Sequence, residues 1–145
     1  MDTPEQIKIW QRVHAQAPPV TDGLPGLAAN ALSASILYGN LAQRFQGRGR
    51  KILLQLQQEE GVHARCLKGI YQLIAGVSMN VAAVPPDTSQ LIPALRKSYA
   101  HSLKALAAYE ARTRDSEYGV VFSFLAEQQR SHCCQIAELI GLLEV

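Results

Sequence analysis

Nowhere in this chain does an apolar run approach the roughly 20 residues that a membrane-spanning helix needs, so the sequence predicts no membrane partner. Cysteine is scarce. Cys66, Cys133 and Cys134 are an odd three and cannot make a disulfide framework. The opening MDTPEQIKIW lacks the charged-then-apolar order of a signal peptide. Together these features predict a reduced, cytoplasmic protein. Charge of one sign is lacking too. Fourteen basic against twelve acidic residues leave +2, which supplies no general pull toward nucleic acid or an anionic surface. The one basic cluster, Arg44, Arg48, Arg50 and Lys51, sits at a predicted turn and reads as a solvated corner. Also missing are a glycine-rich phosphate loop, a nucleophile elbow, a Ser-His-Asp order and a basic stripe with interleaved aromatics. Those absences remove the common nucleotide-binding, hydrolase and nucleic-acid-binding classes.

What is present is globular and helical. An apolar fraction of 48% and a charged fraction of 18% over 145 residues fit one domain, residues 1–145, with a sizeable core. Thr3-Pro4 starts a short amphipathic helix to about Gln16, with Ile7, Trp10 and Val13 on its apolar stripe and His14 beside them. The prolines and glycine of Ala17–Gly23 end that unit at residue 23. A second helix runs from about Leu24 to Gln46, and a third from about Arg50 to Ala75. Their apolar stripes make a first helix pair over residues 24–75. The fourth, from about Leu91 to Arg114, and the fifth, capped by Asp115 or Ser116, make a second pair over residues 91–145.

Residues 76–90 lie between the pairs, and Pro85-Pro86 forbid regular helix there. Fifteen extended residues reach about 50 Å at ~3.3 Å each. A helix of ~25 residues is only about 38 Å long. The segment can therefore carry the chain back along the whole length of a bundle, which predicts a crossover rather than simple up-and-down topology.

Within the third helix, Glu60 and His63 are one turn apart and share a face. Offsetting the chain by 69 residues lays His63 on His132 and Glu60 on Gln129. The same offset lays Leu53 on Phe122, Leu56 on Leu125, Leu67 on Ile136 and Ile70 on Leu139. With a small change of loop length, Tyr38 falls on Tyr109 and Ala31 on Ser102. The pattern is an internal repeat of two helix-pair units.

QEEGVHARCL and its weaker partner AEQQRSHCCQI resemble the ferritin-like superfamily, and its rubrerythrin branch most closely. The likeness covers about residues 24–144. It implies an all-α, ferritin-like four-helix bundle, with a long crossover between the second and third bundle helices and a short helix before them. It also implies iron, a homodimer, and peroxide or oxygen chemistry. In that family each pair supplies one Glu from its first helix and a Glu-x-x-His from its second. Carried over residue by residue, Glu60, His63 and His132 match as metal ligands, and Gln129 stands in for the second glutamate. Ala31 and Ser102 occupy the supporting glutamate positions. Glu59 and Glu127 are expected to face other directions on their helices, and Glu110 lies off the ligand stripe.

The set is a reduced metal site, short of the carboxylates that two iron ions require. Two alternatives stand beside a weakened iron protein. One is a single metal, such as zinc, on the surviving ligands. The other is a metal-free scaffold or dimeric interaction module whose Glu60 and histidines are a hydrogen-bonded remnant. Whether the chain is an enzyme stays open at this stage, as does a redox role for its thiols. His101 and His14 read as ordinary helical histidines.

Overall fold

The computed structural model describes residues 3–6 and 21–143. The expected helix from Pro4 to Gln16 falls largely outside them: residues 4–6 are helical, and Trp10 and His14 are not among the described residues. Among the described residues the chain is all-helical, with four long helices: α1 Leu24–Ala42, α2 Gly47–Ala75, α3 Leu91–Glu110 and α4 Gly119–Leu143.

The helices begin and stop for local reasons. Pro25 sits in the first turn of α1, where its missing N–H costs nothing. α2 ends on Gly76, whose φ of 75° is the left-handed conformation that glycine adopts without penalty, and the Gly76 N–H donates to the Gln72 carbonyl. Before α4, Asp115 rather than Ser116 supplies the cap. Its Oδ1 accepts from the backbone N–H groups of Glu117 and Tyr118 at 3.0 and 2.7 Å. Several boundaries differ from those predicted. α1 stops at Ala42 rather than Gln46, α2 starts three residues earlier than Arg50, and α3 stops at Glu110 rather than Arg114. Apolar periodicity continues through single turns such as Leu41–Arg44 and Tyr109–Arg112, so it marks stripes better than ends.

Two apolar clusters fill the two ends of the bundle. One joins the C-terminal part of α1 (Tyr38, Leu41), the N-terminal part of α2 (Leu53, Leu56), Leu95 near the start of α3 and Leu139 near the end of α4. The other joins Leu24 and Ala28 of α1, Leu67 and Ile70 at the far end of α2, Tyr109 of α3 and Phe122 of α4. The start of α2 therefore shares an end with the start of α3, and the two helices run the same way. α1 packs on α2, α3 on α4, α2 on α4 and α1 on α3, while the backbones of α2 and α3 do not approach closely. Residues 76–90 must travel the length of the bundle to connect these diagonal helices, as their length predicts.

Two hydrogen bonds pin that segment across α1. The Ser33 hydroxyl accepts from the Val84 N–H at 2.9 Å, and Arg44 Nη1 donates to the Thr88 carbonyl at 2.7 Å. Arg44 is thus a strap on the crossover, whereas Arg48 makes an exposed pair with Glu138.

Gly119, buried at the start of α4, has no room for a side chain. A Cβ there would drive into the Thr113 carbonyl oxygen, which is backbone and cannot rotate away. Gly119→Ala is expected to cost about 2 kcal/mol, within the range for forced overpacking, read as a lower midpoint in urea with unchanged slope.

Candidate metal centre

Between the two apolar clusters lies a polar layer. α2 contributes Glu60 and His63 from successive turns of its inward face, and α4 contributes His132. All three are buried, the two histidines completely. One ligand atom from each lies within 4.8 Å of the others. The imidazole rings are stacked, with centroids 5.1 Å apart and planes 16° off parallel, and the edge of Tyr109 meets His63.

Each histidine is held by its outer nitrogen. His63 Nε2–H donates to the carbonyl oxygen of Gln128 at 2.8 Å. That oxygen can only accept, so the ring proton sits on Nε2 and Nδ1 keeps its lone pair. Burial holds His63 below its ordinary value, against the opposing pull of Glu60, which favours this neutral form. The buried Nδ1 has no hydrogen-bond partner. It faces Glu60 Oε2 across 3.7 Å, so two electron-pair donors confront each other.

His132 is clamped on both sides. Nε2–H donates to Glu59 Oε2 at 2.6 Å and Nδ1–H to Glu60 Oε1 at 3.0 Å. Burial alone would push His132 down. The hydrogen bonds and charges of Glu60 and Glu59 outweigh it and hold this histidine above its ordinary value, as an imidazolium.

The sequence expectation that Glu59 faces away is therefore corrected. Adjacent residues on a helix point about 100° apart, but α4 lies over the seam on which Glu59 borders. The half-buried Glu59 side chain reaches His132 from the flank. Gln128, beside Gln129 on α4, meets His63 across the same seam, and the sequence signal for both Glu59 and Gln128 is a polar residue directly flanking a ligand position.

Gln129 is buried on α4, but its amide nitrogen turns to α3 and donates to Ser102 Oγ at 2.5 Å. Ala31 and Ser102 are buried where the resemblance called for glutamates. Glu127 and Glu110 are exposed, as expected. Glu110 pairs with Arg130 at the surface.

The tyrosines serve the core. Tyr38 Oη is 2.7 Å from Ser98 Oγ, and burial with nearby Glu60 pushes both Tyr38 and Tyr109 far above the usual phenol range, so both stay neutral. Cys133 is buried and donates its thiol to Ser102, Cys66 is half-buried and Cys134 is exposed.

Two fully buried nitrogens and a buried carboxylate therefore converge, and each imidazole is oriented by a partner on its far nitrogen. Carboxylates or carbonyls behind metal-bound histidines play that orienting part. A histidine pair with one carboxylate matches the donor set of three-ligand zinc sites. The set does not match two iron ions, for which Ala31, Ser102 and Gln129 leave too little negative charge. Comparison with family models, curated proteins and solved structures finds no match for this chain.

Proposed function

We propose that this protein is a ferritin-like, rubrerythrin-like bundle whose two-metal centre has contracted to a mononuclear site for zinc, held by Glu60, His63 and His132. The crossover topology and the repeat of His63 onto His132 support the family. The observation that carries the site is the unpartnered Nδ1 of His63, buried and opposed to a carboxylate oxygen. A cation relieves that opposition, and no rearrangement of the ring is needed to receive it.

Glu60 would supply the charge and His63 Nδ1 a neutral donor, and His132 Nδ1 would become the second donor by releasing to solvent the proton it now gives Glu60. Gln128 and Glu59 would keep both rings oriented through their Nε2 protons. A zinc ion with three protein ligands supplies Lewis acidity at its remaining position. Iron-dependent oxidase or peroxidase chemistry of the two-metal kind is not part of this proposal, because the carboxylates for it are missing.

Metal-stripped protein is expected to take up one zinc per chain when titrated against a competing chelator. His63→Ala should weaken binding by at least about 100-fold, as losing a direct ligand does at least as much harm as losing an outer partner. Zinc at about 100 times its dissociation constant should stabilise the fold by ~2.7 kcal/mol. Two metals per chain, or no uptake, would overturn the mononuclear assignment.

A metal-free polar lock is the alternative. It is favoured by one observation: both nitrogens of His132 already have carboxylate partners. In that case zinc leaves the melting temperature unmoved, and His63→Ala changes stability alone.

A further inference from the structure

α1 and α3 touch only lightly, and between them lies a cavity of about 350 Å³ roofed by Val84, Pro85 and Pro86 of the crossover. That is about twice the ~150 Å³ cavity that takes up one benzene molecule. Leu27, Ala34, Leu37, Ala94 and Ala105 make its walls aliphatic. Lys97, His101 and Asp87 stand at the exposed mouth.

Most polar groups of the lining are already committed. The Ser33 hydroxyl donates to the Ala29 carbonyl and accepts from the Val84 N–H. Tyr38 Oη and Ser98 Oγ pair with each other, and Ser102 Oγ receives the Gln129 amide and the Cys133 thiol. Gln129 Oε1 is sealed off, with under 1 Å² accessible. Glu60 is different. The residue is only 4% exposed, and its Oε1 accepts from His132 Nδ1. Its Oε2 accepts no hydrogen bond, stands 3.7 Å from His63 Nδ1, and is not sealed as Gln129 Oε1 is. An apolar chamber therefore ends on an uncommitted carboxylate oxygen. The lining also carries Glu60 and Asp87 against Lys97 alone, an excess of negative charge.

We propose that this cavity binds a primary aliphatic ammonium ion of about ten non-hydrogen atoms, with its head on Glu60 Oε2. The head donates to that oxygen, and the neutral Tyr109 hydroxyl on the same lining can accept from it as well. The hydrocarbon chain lies along the alanine and leucine walls toward the crossover. A carboxylate head is repelled by Glu60, and an alcohol leaves the buried charge unbalanced. Lys97 does not bar a cation, because Asp87 stands with it at the mouth and feels its charge. The His132 imidazolium spends both its protons on Glu59 and Glu60 Oε1. Zinc calls on the same carboxylate, so the amine is an occupant of the metal-free chain, and this proposal does not rest on the zinc reading.

The test is calorimetric titration of the full chain, in chelator, with octylammonium, 1-octanol, octanoate and ethylammonium. Octylammonium should bind saturably at one per chain, and octanol and octanoate at least about tenfold more weakly, lacking the charge-assisted bond to Glu60. Ethylammonium should bind at least about a hundredfold more weakly, having lost most of the buried chain. Glu60→Gln should weaken octylammonium about ten- to a hundredfold and erase its advantage over octanol. Ala105→Leu should abolish binding by filling the space. Helical content and melting temperature confirm that each variant is folded, and if one fails to fold, the other and the analogue series decide.

No saturable octylammonium binding would overturn the proposal. So would octanol or octanoate binding as tightly, or Glu60→Gln keeping the preference for the amine. Because the chelator removes metal, failure here leaves the zinc result untouched, and failure of zinc uptake leaves this one untouched.

Discussion

Glu60→Ala, measured in chelator, should lower unfolding stability by about 3 kcal/mol, the low end of the 3–5 kcal/mol typical for removing one partner of a buried ion pair. The reason is the His132 imidazolium, which is completely buried and loses its Nδ1 acceptor. Glu59 still holds Nε2, and its partial exposure lets water share the charge, which keeps the cost from the upper end. For a chain of this size the melting temperature should fall by about 10 °C. Glu60→Gln keeps an acceptor of similar shape and should cost less than half as much.

The pH dependence carries a definite sign. His132 is raised in the folded state above its ordinary 6.5. Its contribution is therefore fully present below that value and is lost as pH rises through the folded one. His63 is lowered, chiefly by burial, so its contribution is present above 6.5 and is lost as pH falls. Glu60 favours the protonated form of both rings, so both effects make the variant relatively worse in acid. Tyr38 and Tyr109 also face this layer and stay neutral throughout. The gap between the natural protein and Glu60→Ala should therefore be widest near about pH 6 and narrow toward about pH 9. A gap independent of pH would show that the deficit is lost packing, without a contribution from the His132 charge.

Phe122→Ala should cost about 4 kcal/mol, in the 3–5 kcal/mol range for emptying a buried aromatic site. Phe122 is fully buried in the cluster containing Leu24, Leu67, Ile70 and Leu125. It also carries the Arg112 guanidinium over its ring, 5.9 Å from the centroid. Arg112 in turn donates through Nη2 to the Asp22 carbonyl at 2.6 Å, and so ties the end of α3 to the entrance of α1.

Loss of the ring should therefore loosen a specific place. Amide exchange at residues 24–28 should quicken beyond what the global destabilisation explains. Leu139→Ala, in the opposite cluster, is the control. It should cost about 3 kcal/mol while the start of α1 stays as protected as global stability allows. Equal exchange at residues 24–28 in the two variants, corrected for stability, would remove Arg112 from any latching role.

Several features of this molecule were legible in the residues. The spacing of Glu60 and His63 put both on one inward helix face, because a 3.6-residue period brings i and i+3 together. The offset of 69 found His132 without any structure. The length of residues 76–90 and the Pro85-Pro86 break implied a crossover, since an extended segment of that length reaches back along the whole bundle. The cap at Asp115 was visible as one of two residues. Helix ends were less legible, because apolar stripes run on through non-helical turns at Arg44 and Arg112.

Helical periodicity determines which residues share a face, and so it determined the helices, their buried stripes and the histidine pair. It says nothing of how far one helix is rotated or shifted against its neighbour. Those two quantities alone decide whether the flank of a stripe meets a partner or water. The seam of α2 on α4 brought Glu59 and Gln128 onto the outer nitrogens of the two rings, where single-helix phase had pointed Glu59 away. The light contact of α1 with α3, at positions holding alanine and serine, left the cavity above Gln129. Packing between helices, with side chains long enough to cross a seam, turned a recognisable Glu-x-x-His into a site with oriented donors.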